Sequence, residues 1–404
     1  MSTIEAAYTH QIGSSSAGDR RTNRPTPIIP SDTANSSAPN AVQTVGNRAT
    51  GAADTIAAST LMYTAAHHAR TARGAAAYRV FMAESVDRAP IDAILQKVME
   101  AVPFQLTVDG GIEQARQRLR DLPRRPLHEG LRVENHSIEG PGGPIPVRVY
   151  WPDEDPPEGG TYPVTMFFHG GGFALGDLDT HDVTAREHAV GGGTVVVSVD
   201  YRLAPEHPFP AGVEDVWAAT CWVAANAGDF GADGSRLAVA GDSAGGTLAA
   251  VVAQRARDRL RAGSGPAVVF QLLWYPSTMW DTTLPSFTEN AQAPVLDHAA
   301  IAAFTQWYAG HLDPSEPPAD LAPGRAADLS GVAPAYVAVA GHDPLRDDGA
   351  RYAELLSEAG VEVELHNAET LVHGYLGYAG VVPAATQATN RGLAALRAAL
   401  HPGR

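Results

Sequence analysis

Cysteine and lysine are almost absent from this 404-residue chain: Cys221 and Lys97 are each the only residue of their kind. A single cysteine excludes an internal disulfide and fits a reducing compartment. Cys221 lies in VEDVWAATCWVAANA, an apolar helical pattern that reads as packing rather than as a nucleophile. One lysine leaves one candidate for Schiff-base or phosphate-loop chemistry. Lys97 sits in AILQKVME, a helical stretch with neither a Ser-x-x-Lys pattern nor a glycine loop. Positive charge is also scarce: 29 Lys+Arg against 45 Asp+Glu give −16, which argues against nucleic acid and anionic membrane surfaces as partners. There is no window of about 18 uncharged apolar residues to suggest a transmembrane helix. The opening MSTIEAAYTHQIG has neither the basic nor the apolar region of a secretory signal, so the expectation is a cytoplasmic protein.

What is present divides the chain into three. Residues 1–50 are rich in Ser, Thr, Asn, Pro and Gly and poor in large apolar side chains, which reads as a disordered tail. Residues 51–125 are helical in pattern, as in APIDAILQKVMEAV and GIEQARQRLRDL, with no strand signal. The neighbours His67 and His68 in this block point to different helix faces, so a surface role is favoured over metal binding. From residue 126 to 404 the character changes. VENHSIEG-PGG-PIPVRVYWP reads as a hairpin, and the strands VTMFFHG, TVVVSVDYR, RLAVAGDS, VVFQLLWYP, AYVAVAGHD and VEVELHNA then alternate with helical stretches. Continuous Val-rich strands separated by helices imply an α/β fold with a mainly parallel sheet covered on both faces. Ligands of such sheets bind beyond the carboxyl ends of the strands.

The chemistry falls at those ends. Gly241-Asp-Ser-Ala-Gly-Gly246 follows the strand LAVA and opens a helix, the context that validates a Gly-x-Ser-x-Gly elbow. Ser243 then stands at a helix N-terminus, where backbone N–H groups favour developing negative charge. A serine hydroxyl needs a base, and the base an orienting acid, in the chain order Ser, Asp/Glu, His. Asp343 follows the strand AYVAVAGH, and His373 lies in the loop LVHGY, in the required order. The competitors are weaker. His342 adjoins Asp343 too closely to meet it, His366 ends a strand, and Asp347 and Asp348 occupy a first helical turn where acidic residues suit the dipole. Asp242 reads either as a brace of the elbow and glycine loop or as helix-terminus stabilisation.

The stretch FFHGGGF at 167–173 places three glycines directly after an apolar strand. Acyl transfer by a serine needs donors aimed at the carbonyl oxygen as it becomes an oxyanion. One is expected from the N–H of Ala244, and the others from this glycine loop. His169 is then a brace of the loop. Phosphate binding is disfavoured because no Lys-Ser/Thr follows.

Together HGGGF, DYRLAPEHPFPA at 200–211, GDSAGG, DPLRDDG and LVHGY resemble the hormone-sensitive-lipase group of bacterial α/β-hydrolase esterases, over roughly residues 130–400. The resemblance implies the α/β-hydrolase fold, with the N-terminal helices folding back as a cap. It implies Ser243, Asp343 and His373 as the triad, and Gly171, Gly172 and Ala244 as the oxyanion donors. It also implies a cofactor-independent serine carboxylesterase acting on small-molecule esters with short or medium acyl chains, with no metal; self-association is left open. The loop reads HGY where HGF is commoner in the group, which bears on the pocket wall. Trp274, Tyr275 and Trp307 read equally as pocket lining and as core. Two rivals are an amidase or deacetylase using the same triad and, from another class, a catalytically silent ligand receptor. The presence of His373 counts against the receptor.

Overall fold

The computed structural model describes residues 88–124, 127–156 and 160–403. The tail expected over 1–50, the pair His67 and His68, and the expected helical region up to residue 87 lie outside the described residues. Two helices of the region expected to be helical are in view, α1 (Ala93–Ala101) and α2 (Ile112–Arg120). The Asp92 carboxylate starts α1 by accepting from the N–H groups of Ile94 and Leu95, both at 2.9 Å. Leu95 is fully buried and fixes the helix to the core.

Eight strands follow: β1 (Val133–Ile138), β2 (Ile145–Tyr150), β3 (Tyr162–Phe168), β4 (Val195–Val199), β5 (Ala232–Asp242), β6 (Val268–Trp274), β7 (Ala335–His342) and β8 (Val363–Val372). They form one sheet in the order β1-β2-β4-β3-β5-β6-β7-β8. The expected hairpin is β1 with β2, antiparallel from Val133 opposite Tyr150 to Ile138 opposite Ile145. β2 meets β4 antiparallel, and every later pairing is parallel. The connecting helices are α3 (Asp182–Gly192), α4 (Ala211–Asn226), α5 (Ala244–Arg261), α6 (Pro285–Glu289), α7 (His298–Ala309), α8 (Arg346–Glu358) and α9 (Pro383–Leu400).

Alternation along the strands explains their continuous apolar runs. Val164, Met166 and Phe168 of β3 pack with Val216 of α4, Leu248 of α5 and Tyr352 of α8, in one core. Phe167, between them in sequence, belongs to a second core with Ala185 and Ala189 of α3, Leu393 and Leu396 of α9 and Leu95 of α1. Both faces of the sheet are therefore covered, as parallel strands require. The fold expected from the sequence is the fold observed, with an α/β-hydrolase sheet flanked by helices. Helices α3 and α7 carried no separate signal, α3 because charged residues and a Gly-Gly end dilute its apolar stripe.

Parallel strands bring their carboxyl ends to one edge. Phe168 ends β3 before the glycine loop, Asp242 ends β5 before Ser243, His342 ends β7 before Asp343, and Val372 ends β8 before His373. Sequence positions far apart thus converge at one rim.

Candidate active site

The turn between β5 and α5 is sterically exclusive. A Cβ on Gly245 would lie 1.9 Å from the Phe168 carbonyl oxygen, and one on Gly241 would lie 2.3 Å from the Gly245 oxygen. Both obstacles are backbone and cannot rotate away, so only glycine fits. Ser243 sits between them at φ 54° and ψ −120°, a strained conformation for a side-chain-bearing residue. Its N–H donates to the Trp274 carbonyl at 2.8 Å, tying the elbow to β6.

The serine meets the two residues named with it from the sequence. Ser243 Oγ lies 2.9 Å from His373 Nε2, and His373 Nδ1 lies 2.7 Å from Asp343 Oδ2. A carboxylate only accepts, so Nδ1 carries the proton and Nε2 is left to accept from the serine hydroxyl. Asp343 is fully buried and His373 nearly so. The second oxygen of Asp343, Oδ1, accepts from the Leu345 N–H at 2.8 Å, which fixes the rotamer that faces the imidazole. The Tyr275 ring packs on His373 at 4.8 Å between centroids, and burial raises its phenol well above the ordinary value.

The glycine loop is braced from several directions. The Gly170 N–H donates to Asp242 Oδ1 at 2.9 Å, so the residue before the serine holds the loop. Burial alone would raise the Asp242 carboxyl, but the His181 ring at 3.6 Å and the Gly170 N–H hold it below its ordinary value. The Gly171 carbonyl accepts from the N–H groups of Ala174 and Leu175, at 3.1 and 2.8 Å. His169 is a brace, as expected: Nδ1–H donates to the Gly170 carbonyl at 2.9 Å, and the ring stacks on Tyr201 at 4.4 Å. The Tyr201 hydroxyl donates to the His169 carbonyl at 2.7 Å. Burial pushes the His169 imidazole down to about 4, so it is neutral. Ala244, the third expected donor, is the first residue of α5.

A cavity of about 540 Å³ opens onto Ser243, His373, Gly170 and Gly171. Val98 and Val102 from α1 and its end, Phe104, Leu106, and Leu119 of α2 form much of its wall, with Leu376 and Val381 opposite in sequence. Tyr275 lines it, whereas the indole of Trp274 is fully buried and donates to His188 Nε2 at 2.9 Å. Trp307 is half-buried and packs beside Phe304 against the core. The Tyr of HGY, Tyr375, turns inward, with its ring edge-on to Trp274 and Tyr275. Cys221 is half-buried, and burial raises its thiol.

The residues set aside from the triad have structural partners. His342 Nε2–H donates to the Ala89 carbonyl at 2.9 Å, and His366 packs near Tyr336. Asp347 and Asp348 do lie in the first turn of α8, but they are buried and bound to residues 278–286. Asp347 accepts from Ser286 N at 2.8 Å and Asp348 from Met279 N at 2.8 Å. Burial pushes the Asp348 carboxyl up to about 6 against those hydrogen bonds. His181 and Asn290 escaped sequence reasoning, because each works on a partner distant in the chain and sits in no motif.

Comparison with known proteins shows the family. A family model described as alpha/beta hydrolase fold matches residues 165–377. Esterase LipI of Mycobacterium tuberculosis is 65% identical over 315 residues, spanning 78% of this chain and 97% of that protein. Carboxylesterase NlhH of the same organism is 56% identical over 322 residues, spanning 78% and 98%. Among solved structures, DphMB1 is 63% identical with a TM-score of 0.73, covering 77% of this chain and all 100% of that one. The chain belongs to the hormone-sensitive-lipase-like esterases of the α/β-hydrolase superfamily.

Proposed function

We propose that this protein is a serine carboxylesterase of short- to medium-chain acyl esters, with Ser243 as nucleophile, His373 as base and Asp343 as orienting acid. The observation that carries this reading is the continuous Ser243–His373–Asp343 hydrogen-bond chain at 2.9 and 2.7 Å, at the floor of an apolar cavity. Ser243 Oγ bonds to the ester carbonyl carbon while its proton passes to His373 Nε2. Asp343 stabilises the resulting imidazolium. The tetrahedral adduct collapses, the C–O bond to the alcohol breaks, and Nε2 returns the proton to the leaving alkoxide. Water, deprotonated by the same nitrogen, then bonds to the acyl carbon, and as the bond to Ser243 Oγ breaks Nε2 returns the proton to that oxygen.

The oxyanion of both adducts is assigned to the N–H groups of Gly171, Gly172 and Ala244. Support comes from Gly170, whose own N–H is taken by Asp242, leaving the next two glycines as the loop's donors. Residues 51–125 are assigned as a cap, supported by the α1 and α2 side chains that wall the cavity. The volume of about 540 Å³ and its apolar walls suit a small acyl ester rather than a polymer. Among the described residues no helix is long and apolar enough to cross a membrane. We place the protein in the cytoplasm, in keeping with its single cysteine.

The test is turnover of p-nitrophenyl acetate, butyrate and octanoate, followed by labelling with a p-nitrophenyl phosphonate and peptide mass analysis. The expected result is hydrolysis of the short esters and a single adduct on Ser243. Absence of hydrolysis, or an adduct on a different residue, overturns the assignment.

A further inference from the structure

The segment that enters α1 is tied to the ends of β7 and β8, the strands that lead into Asp343 and His373. One amino group of the Arg88 guanidinium, Nη2, donates to Asn290 Oδ1 and to the Gly341 carbonyl, the latter at 3.0 Å. Asn290 passes the contact on: its Nδ2 donates to the Asp343 carbonyl at 3.0 Å. The Ala89 carbonyl accepts from His342, beside Asp343, at 2.9 Å. The Asp92 N–H donates to the carbonyl of Thr370, on the strand that ends just before His373, at 2.9 Å.

The sense of these bonds is fixed. Arg88 can only donate and the Asp343 carbonyl can only accept, so the Asn290 amide can satisfy both in one orientation alone. Asn290 is 2% exposed, which makes a misplaced amide costly. The backbone of Asp343 is thereby held from outside its own loop, while its carboxylate faces His373 Nδ1 at 2.7 Å. An acid that orients an imidazole is sensitive to small displacements of its backbone.

We propose that Arg88 and Asn290 are positioning residues of the reaction. Acting through the Gly341 and Asp343 carbonyls, they keep the Asp343 carboxylate aimed at His373. The inference rests on the Ser243 reading given above. It makes residues 88–92 a shared part of the catalytic alignment and of the entry into α1, whose Val98 lines the cavity.

The experiment measures kcat, KM and melting temperature on p-nitrophenyl butyrate for Arg88→Ala, Arg88→Lys, Asn290→Ala, Asn290→Asp and the double alanine variant. A positioning role predicts a kcat loss of about tenfold for Arg88→Ala and Asn290→Ala with KM within about twofold, because the interaction acts on the reacting groups and not on substrate binding. The double variant should lose less than the product of the two single losses, since part of the effect of Arg88 passes through Asn290. Arg88→Lys, which retains a donor, should recover part of kcat. Asn290→Asp keeps the shape and the acceptor for Arg88 but loses the donor to Asp343, so it should lose kcat even if Asn290→Ala is too unstable to assay. Folded variants with wild-type kcat, a loss confined to KM, or additive losses in the double variant each overturn the positioning role. If the wild type itself hydrolyses no ester, the Ser243 reading fails and this inference falls with it. If the wild type turns over and the folded variants match it, only the positioning role fails.

Discussion

Gly171→Ala separates an oxyanion donor from a substrate contact. Gly171 has φ +121°, where a residue with a Cβ is strained, and the added carbon would lie 2.3 Å from the Leu175 carbonyl oxygen and 2.6 Å from its carbon. Neither atom can rotate aside, so the loop must retreat by about 1 Å to reach an ordinary van der Waals separation. A donor that must sit about 2.7–3.1 Å from the oxyanion is lost by such a shift. Removing one donor typically costs about 3 kcal/mol, or about a hundredfold in kcat, with little change in KM. Backbone strain of about 1–3 kcal/mol should also lower the melting temperature by several degrees. Gly172→Ala is the internal comparison. There, at φ +61°, the Cβ would meet Cγ of the buried Phe304 at 2.5 Å, so stability should fall, and because the obstacle is a side chain and not backbone the loop should retreat less and kcat change less. Steady-state kinetics and thermal melts of both variants decide the matter. A rise in KM at unchanged kcat for Gly171→Ala would show that the loop contacts substrate and refute the oxyanion assignment.

Ser243→Ala should reduce ester turnover by about a thousandfold or more while leaving the melting temperature nearly unchanged, because the hydroxyl bonds only to His373; activity within a few-fold of wild type sinks the nucleophile. Burial holds His169 and His188 at about 4, against the ordinary 6.5. Between those values the unfolded chain takes up protons that the folded chain refuses, so stability should fall as pH drops from 6.5 towards 4, by up to about 3 kcal/mol per histidine. Thermal melts at pH 7 and 5 test this; His188→Gln, which keeps an acceptor for Trp274, should flatten part of the dependence, and equal wild-type stability at both pH values contradicts it. Deleting residues 1–45 should leave the acyl-chain profile of kcat/KM and the melting temperature unchanged, whereas deletion through 120 removes Leu95 and the α1 and α2 wall of the cavity and should erase chain-length selectivity. A changed profile in the shorter deletion would place the first 45 residues in the binding site.

What the sequence made legible is what local chemistry dictates. The elbow is readable because Gly241 and Gly245 are forced by contacts within and next to the turn, and because strand and helix flank it. The Ser243–His373–Asp343 juxtaposition is readable because each residue follows a strand, and parallel strands deliver their ends to one edge. Asp347 and Asp348 show the limit. Their place in a first helical turn is evident, but their burial against residues 278–286 depends on a tertiary contact that no periodicity reveals. Arg88 and Asn290 were invisible for the same reason, since neither sits in a motif and each bonds across a long stretch of chain. The wall of the cavity was half legible: Tyr275 and Trp274 are neighbours in sequence, yet only the first lines it.

The nucleophile side of the site and its acid–base side are built in different ways, and this governs how each tolerates change. Around Ser243 the contacts are made by the backbone of the elbow and the glycine loop. The Ser243 N–H is bound to the Trp274 carbonyl, Gly245 lies against the Phe168 carbonyl, and Gly170 hangs from Asp242. Strands β3, β5 and β6 therefore hold the strained φ of 54° collectively, and a Cβ at Gly241 or Gly245 disturbs fold and nucleophile together. Asp343 and His373 instead stand on loops after β7 and β8, and beside the local Leu345 and Arg346 N–H groups Asp343 is held by a side chain reaching in from elsewhere, that of Asn290. Losing one such side chain leaves the sheet's hydrogen bonds in place. Catalysis and stability should therefore fall together when a Cβ is added at Gly241 or Gly245, and separate in variants of the acid–base side.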